Sequence, residues 1–115
     1  MKENNIIIKK SFGFALSIIK FTEYLKSEKK QYVIADQLLR SGTSIGANVK
    51  ESINAISRAD FRHKMSIALK EADETEYWLS LILYSNILNE DKLQIMINEC
   101  KEICRVLNSI VKNSR

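Results

Sequence analysis

Four stretches of the chain repeat apolar residues every three or four positions, the spacing that lines one face of an α-helix. Near residues 6–26, Ile7, Phe14, Ile18, Phe21 and Leu25 share an arc. Near 28–55 the arc is Ile34, Leu38, Ile45, Val49 and Ile53, continued by Ile56. Near 58–86 it is Phe61, Met65, Ala68, Leu69, Ala72, Leu79 and Ile82. Near 90–113 it is Leu93, Met96, Ile97, Cys100, Ile103, Cys104, Leu107, Ile110 and Val111. Start signals fall between these stretches. Ser57 and Asp60 form an S-x-x-D box, with Ile56 and Phe61 at the two staple positions. Asn89 precedes the first-turn acids Glu90 and Asp91, with Leu88 and Leu93 as another staple. Ser27 before Glu28 is a weaker start of the same kind. Long helices joined by short links must fold back on one another. Residues 1–115 are therefore expected to form one all-α domain, an antiparallel up-down-up-down four-helix bundle.

The first helix carries more apolar surface than one core requires. A second arc holds Ile8, Phe12, Ala15, Leu16 and Ile19. The two arcs span about 220°, where a helix facing a single core needs little more than about 100°. The rest of the wheel carries Lys9, Lys10, Gly13, Ser17, Lys20 and Tyr24. Burial between copies of the chain is the expectation for the surplus.

Beside the apolar face of the second helix runs a stripe of small and polar residues: Gln37, Ser41, Ser44, Asn48, Glu51 and Ala55, with Arg40 at its edge. Gly42 and Gly46 inside this helix cost about 1 kcal/mol each relative to Ala, offset either by close packing or by a kink. On the third helix, Lys64 and Glu71 fall inside the apolar arc, near Ile67, Thr75 and Trp78. Charges so placed are costly unless paired. They are expected to be buried and to meet the second helix, with Ser44, Asn48 and Glu51 as partners. The network would fix helix register rather than catalyse.

Composition agrees with an all-helical reading. There is no proline and there are three glycines, too few turn signals for a β sandwich or barrel. Apolar residues at 45% and charged residues at 28% exclude wholesale disorder. The net charge of +4 is uneven, because residues 1–40 hold eight basic and four acidic side chains. A basic N-terminal third suits an anionic partner such as RNA, although solubility alone also accounts for it. Lys9, Lys10 and Lys20 share the polar arc of the first helix, and Lys26, Lys29 and Lys30 cluster at its link to the second. These six are the candidate nucleic-acid contacts, reading phosphates rather than bases.

Cys100 and Cys104, four apart on a helix, have poor disulfide geometry and too few companions for zinc. They read as reduced residues of a cytoplasmic chain. Lys2, Lys9 and Lys10 precede the apolar run from Phe12 to Ile19, but Lys20, Glu23 and Lys26 follow at once. The run is too short for a membrane span and lacks a cleavage site, so a soluble, unprocessed chain is expected.

Little here suggests chemistry. Glu51, Glu71 and Glu74 invite a di-metal reading, but such bundles need two Glu-x-x-His pairs. The position three beyond Glu71 is another glutamate, and the lone histidine, His63, falls on an exposed arc. Neither a metal nor another cofactor is expected. One histidine outside any nucleophile motif, and no glycine-rich phosphate loop, argue against an enzyme. Trp78, Tyr77 and Tyr84 are able to stack on bases, yet aromatics at helical spacing more often pack.

One stretch is more specific. It runs Gln37-Leu38-Leu39-Arg40-Ser41-Gly42-Thr43-Ser44-Ile45-Gly46-Ala47-Asn48, then Glu51, Ser57, Ala59-Asp60-Phe61 and Lys64. A second block follows as Ile67-Ala68-Leu69-Lys70-Glu71-Ala72 and Glu74-Thr75-Glu76-Tyr77-Trp78-Leu79. In order and spacing these blocks resemble the bacterial four-helix bundle proteins also called 23S rRNA intervening-sequence proteins. Phe14-Ala15, Ile18-Ile19 and Ser109-Ile110-Val111-Lys112 extend the likeness over essentially the whole chain. The resemblance implies an antiparallel bundle assembled as a homopentamer, with no enzymatic activity attached. Some members are encoded within insertions in large-subunit rRNA genes. A related bundle is an accessory protein to reverse transcriptases of diversity-generating retroelements. Lys50 and Gly13 depart from the family pattern.

Two readings follow, with a metal or hydrolytic enzyme a distant third. One is an oligomeric RNA-binding or RNA-chaperoning protein. The other is a protein-interaction scaffold, for instance an accessory subunit to a polymerase, without direct nucleic-acid binding.

Overall fold

The structure, a computed structural model, describes residues 2–88 and 91–114. Four helices follow one another: α1 (Lys2–Ser27), α2 (Tyr32–Ile53), α3 (Arg58–Tyr84) and α4 (Asp91–Asn113). α1 and α3 each border α2 and α4, so the helices run round the bundle in chain order. The molecule measures 44 × 20 × 18 Å. Its long axis is thus close to one helix, since 26 residues at 1.5 Å each extend about 39 Å.

The helix ends show where local chemistry wins. Ser57 caps α3 as expected: its hydroxyl accepts from the Asp60 N–H at 3.0 Å, and the Asp60 carboxylate accepts from the Ile56 N–H at 3.1 Å. The staple beside this box does not close, because Ile56 is 92% exposed. At the start of α4, Leu88 and Leu93 are both buried. The proposed start at Asn89 and Glu90 lies outside the described residues.

Ser27 does not start α2, as the sequence suggested; it is the last residue of α1. The chain turns at Lys30, whose φ of 58° is left-handed, so no helix passes through it. The Gln31 N–H closes the turn on the Leu25 carbonyl at 2.9 Å. α2 therefore begins at Tyr32 rather than near 28, capped by Gln31 without a side-chain hydrogen bond. At its other end α2 stops at Ile53, not 55, and the Asn54 and Ala55 N–H groups bond three residues back. α3 ends at Tyr84 rather than 86 because Asn86, with φ of 62°, is again left-handed.

The core is continuous from end to end. Ile7, Phe14, Ile18, Phe21 and Leu25 of α1 meet Leu38, Ile45 and Val49 of α2, Met65, Leu79 and Ile82 of α3, and Leu93, Ile103 and Leu107 of α4. Gly42 explains itself here. A Cβ built at this position would stand 2.9 Å from both branch carbons of Ile18, so α1 and α2 approach as closely as they do only because the side chain is absent. Close packing, rather than a kink, offsets its helix cost.

Candidate functional site

A polar ladder joins α2 to α3. Going back along α2 from Glu51 to Ser41 corresponds to going forward along α3 from Lys64 to Thr75, which is the register of two antiparallel helices with a short link. Lys64 Nζ donates to Glu51 Oε1 at 3.2 Å. Further up, Thr75 Oγ1 lies 2.9 Å from Ser41 Oγ and 2.8 Å from the Glu71 carbonyl, both hydroxyl residues being fully buried. Arg40 then bridges Glu71, at 3.1 Å, and Glu74. Trp78 Nε1 donates to Glu74 Oε2 at 3.0 Å, so the ladder ends on the indole ring.

This ladder differs from the expected one. Lys64 meets Glu51, but neither Lys64 nor Glu71 is fully buried, the Glu71 side chain being 15% exposed. Glu71 pairs with Arg40. Asn48 Nδ2 donates to the Ser44 carbonyl at 2.8 Å, and Ser44 Oγ to the Arg40 carbonyl at 2.6 Å, so both stay within α2. Short side chains on a helix satisfy themselves on the preceding turn, whereas the long Arg40 reaches across. The buried Ser41–Thr75 contact was missed because nothing in a hydroxyl's spacing separates a cross-helix bond from a local one. The Trp78 indole and the Arg40 guanidinium both hold the Glu74 carboxyl below its usual range, the indole contributing most. The same contact to Glu74 raises the Arg40 pKa.

The six candidate lysines fall into two kinds. Lys10 donates to Glu102 of α4 at 2.8 Å, and Lys26 to Asp36 of α2 at 2.5 Å. Lys30 folds back onto the Ser27 carbonyl at 2.9 Å, a neutral partner that leaves its charge uncompensated. Lys9, Lys20 and Lys29 form no ion pair among the described residues. Lys9 does not share a surface with Lys10 alone: it also lines a groove between α1 and α2.

That groove, of about 530 Å³, is predominantly apolar. Ile8, Phe12 and Ala15 of α1 face Thr43, Gly46, Ala47 and Val49 of α2, with Lys9 and Lys50 at its margins. It adjoins the second apolar arc of α1, where Phe12 is 68% exposed and Leu16 and Ile19 are exposed too. The two arcs therefore have different fates, one in the core and one on the surface.

Other candidates take simpler places. Cys100 is buried and Cys104 half-buried, and both are free thiols. Contact with Cys104, together with burial, pushes the Cys100 thiol far above its ordinary range, so it is inert. Among the described residues, no three His, Cys, Asp or Glu side chains group as metal ligands. No described helix is long and apolar enough to cross a membrane. Tyr77 and Tyr84 are exposed, and Trp78 is half-buried with its ring edge-on to Tyr77 at 5.2 Å.

Comparison with known proteins follows the same helices. A crystal structure from Bacteroides thetaiotaomicron, described as a protein of unknown function from the S23 ribosomal protein family, superposes with a TM-score of 0.92 at 44% identity. The match covers 96% of this chain and 98% of that one. No curated protein matches the chain. Residues 3–109 match the pattern of the 23S rRNA-intervening sequence protein, a span holding all four helices up to the last turn of α4, and the chain belongs to that family.

Proposed function

We propose that this chain is a non-catalytic, cytoplasmic RNA-binding protein that works as a ring of identical subunits, five by family resemblance. The observation that carries the reading is the uncovered second arc of α1. Phe12, Leu16 and Ile19, beside the α1–α2 groove, form the kind of contiguous apolar surface that a monomer rarely leaves in water. A cyclic ring repeats one heterologous contact between each pair of neighbours and covers every copy of this surface.

Assembly changes the electrostatics. A net +4 per chain becomes about +20 over five subunits, repeated symmetrically. Of the six candidate lysines, Lys9, Lys20, Lys29 and Lys30 form no ion pair with a carboxylate among the described residues, and phosphate is the partner they suit. Lys10 and Lys26, held by Glu102 and Asp36, contribute less. The family's name, which ties it to 23S rRNA, supports an RNA partner over other polyanions.

Retardation of a structured RNA across a salt series tests this. Affinity should fall steeply as salt rises, and Lys29→Glu with Lys30→Glu should weaken binding to every RNA alike. Failure of the parent protein to retard any RNA at low salt would overturn the reading. The apolar α1–α2 groove would then favour a scaffold role, as an accessory subunit to another protein.

A further inference from the structure

The polar ladder ends on an aromatic ring at the surface, and the surroundings of that ring suit a ligand. Trp78 forms one wall of an open groove of about 610 Å³ at the α1–α2 turn, facing Tyr32, Val33, Ile34 and Gln37, with Lys30 and Gln31 at its end. Tyr32 is 54% exposed, and among the described residues no acidic side chain lines this groove. Tyr32 and Lys30 are also walls of an adjoining cleft, which Glu23, Lys26 and Ser27 complete. The tyrosine thus divides an aromatic compartment from a polar one.

We propose that the Tyr32–Trp78 groove takes an unpaired nucleobase of single-stranded RNA, with the adjoining phosphate on Lys30. This rests on the RNA-binding reading above and adds a preference that lysines alone do not supply. Three features favour a base. Aromatic walls stack on any base face regardless of sequence, and two of them stand in one groove. The Trp78 ring is held before binding, its N–H fixed by Glu74 and Glu74 by Arg40, so little order is lost on stacking. The Gln37 amide, exposed in the same groove, offers a donor and an acceptor to a base edge. On the other side of Tyr32 the cation left for phosphate is Lys30, because Lys26 is engaged by Asp36 and Glu23 repels anions. Bases inside a duplex are stacked and do not reach such a groove.

Trp78 is the chain's single tryptophan, so its fluorescence reports this groove alone. The probes are a twelve-residue uridine oligomer and an RNA duplex of equal length, each titrated at low salt. The oligomer should quench the emission and the duplex should not. Tyr32→Ala, at an exposed position, should weaken oligomer binding by about tenfold and leave duplex retardation unchanged. Equal affinity for both probes without quenching, or an unaltered Tyr32→Ala, overturns the stacking site and leaves the lysine reading standing. No binding of either probe overturns both. A Tyr32→Ala protein that loses self-association overturns the proposal too, because the groove then belongs to a second copy.

Discussion

Ile18 and Ile19 are the same residue type on consecutive positions of α1, yet Ile18 is fully buried and Ile19 is 42% exposed. The pair stands for the two arcs of the helix. Ile7, Phe14, Ile18, Phe21 and Leu25 are covered by the other three helices, while Phe12, Leu16 and Ile19 face outward. The inner arc is bounded by a glycine that lets α2 approach; the outer arc opens on a groove whose α2 wall is also small, Gly46 and Ala47. Hydrophobicity along the chain does not distinguish the arcs. What separates them is geometry: one core can cover only so much of a helix, and the remainder is left on the surface.

Charge substitution should break this comparison most sharply. Ile18→Glu places a carboxylate in the core with no partner and should cost about 5 kcal/mol or more, enough to unfold a chain of this size. Leu16→Glu, two residues earlier, should keep full helical circular dichroism. Its melting temperature should no longer rise with protein concentration, as that of an assembling parent does.

The glycines sharpen the contrast at smaller scale. Gly42→Ala drives a methyl to 2.9 Å from Ile18 and should destabilise by about 1–3 kcal/mol. Gly46→Ala meets Ser11 at an ordinary 3.5 Å, and Gly13→Ala meets nothing within 4 Å. Each should stabilise the isolated fold by up to about 1 kcal/mol through helix propensity. Chemical denaturation of the three variants orders them.

The surface ladder should give the smallest effects. Arg40→Met should cost about 1 kcal/mol, because its pairs are open to solvent, well short of the loss from a stranded buried charge. The Glu74 carboxyl is held below its ordinary pKa when folded. The stability it adds is therefore present above the usual carboxylate range, near pH 4, and is lost as pH falls through the depressed value. A stability profile of Glu74→Gln should match the parent in strong acid and fall below it at neutral pH.

The same contrast shows what could be read from the chain beforehand. Both arcs of α1, the α3 capping box and the Lys64–Glu51 pair follow from periodicity and spacing, which the backbone enforces locally. The start of α2 did not, because the left-handed turn falls on Lys30, where glycine is the usual signal. Glu71 was placed in a polar interface, but its partner Arg40 depends on a long side chain reaching beyond the nearest turn. Which of the α1 arcs faces the core was also open, since both have the same period. The burial of Ile7, Phe14, Ile18, Phe21 and Leu25, with Gly42 against Ile18, decides it. The aromatic groove joins Tyr32 to Trp78 across 45 intervening positions and two helices, so no local pattern announces it.

The central claim, that the outer arc of α1 is an assembly surface, is tested most directly by light scattering on the parent protein at micromolar concentration. The account predicts a particle of about five times 13.3 kDa, and a folded monomer for Leu16→Glu. A parent that scatters as a 13.3 kDa monomer would contradict it.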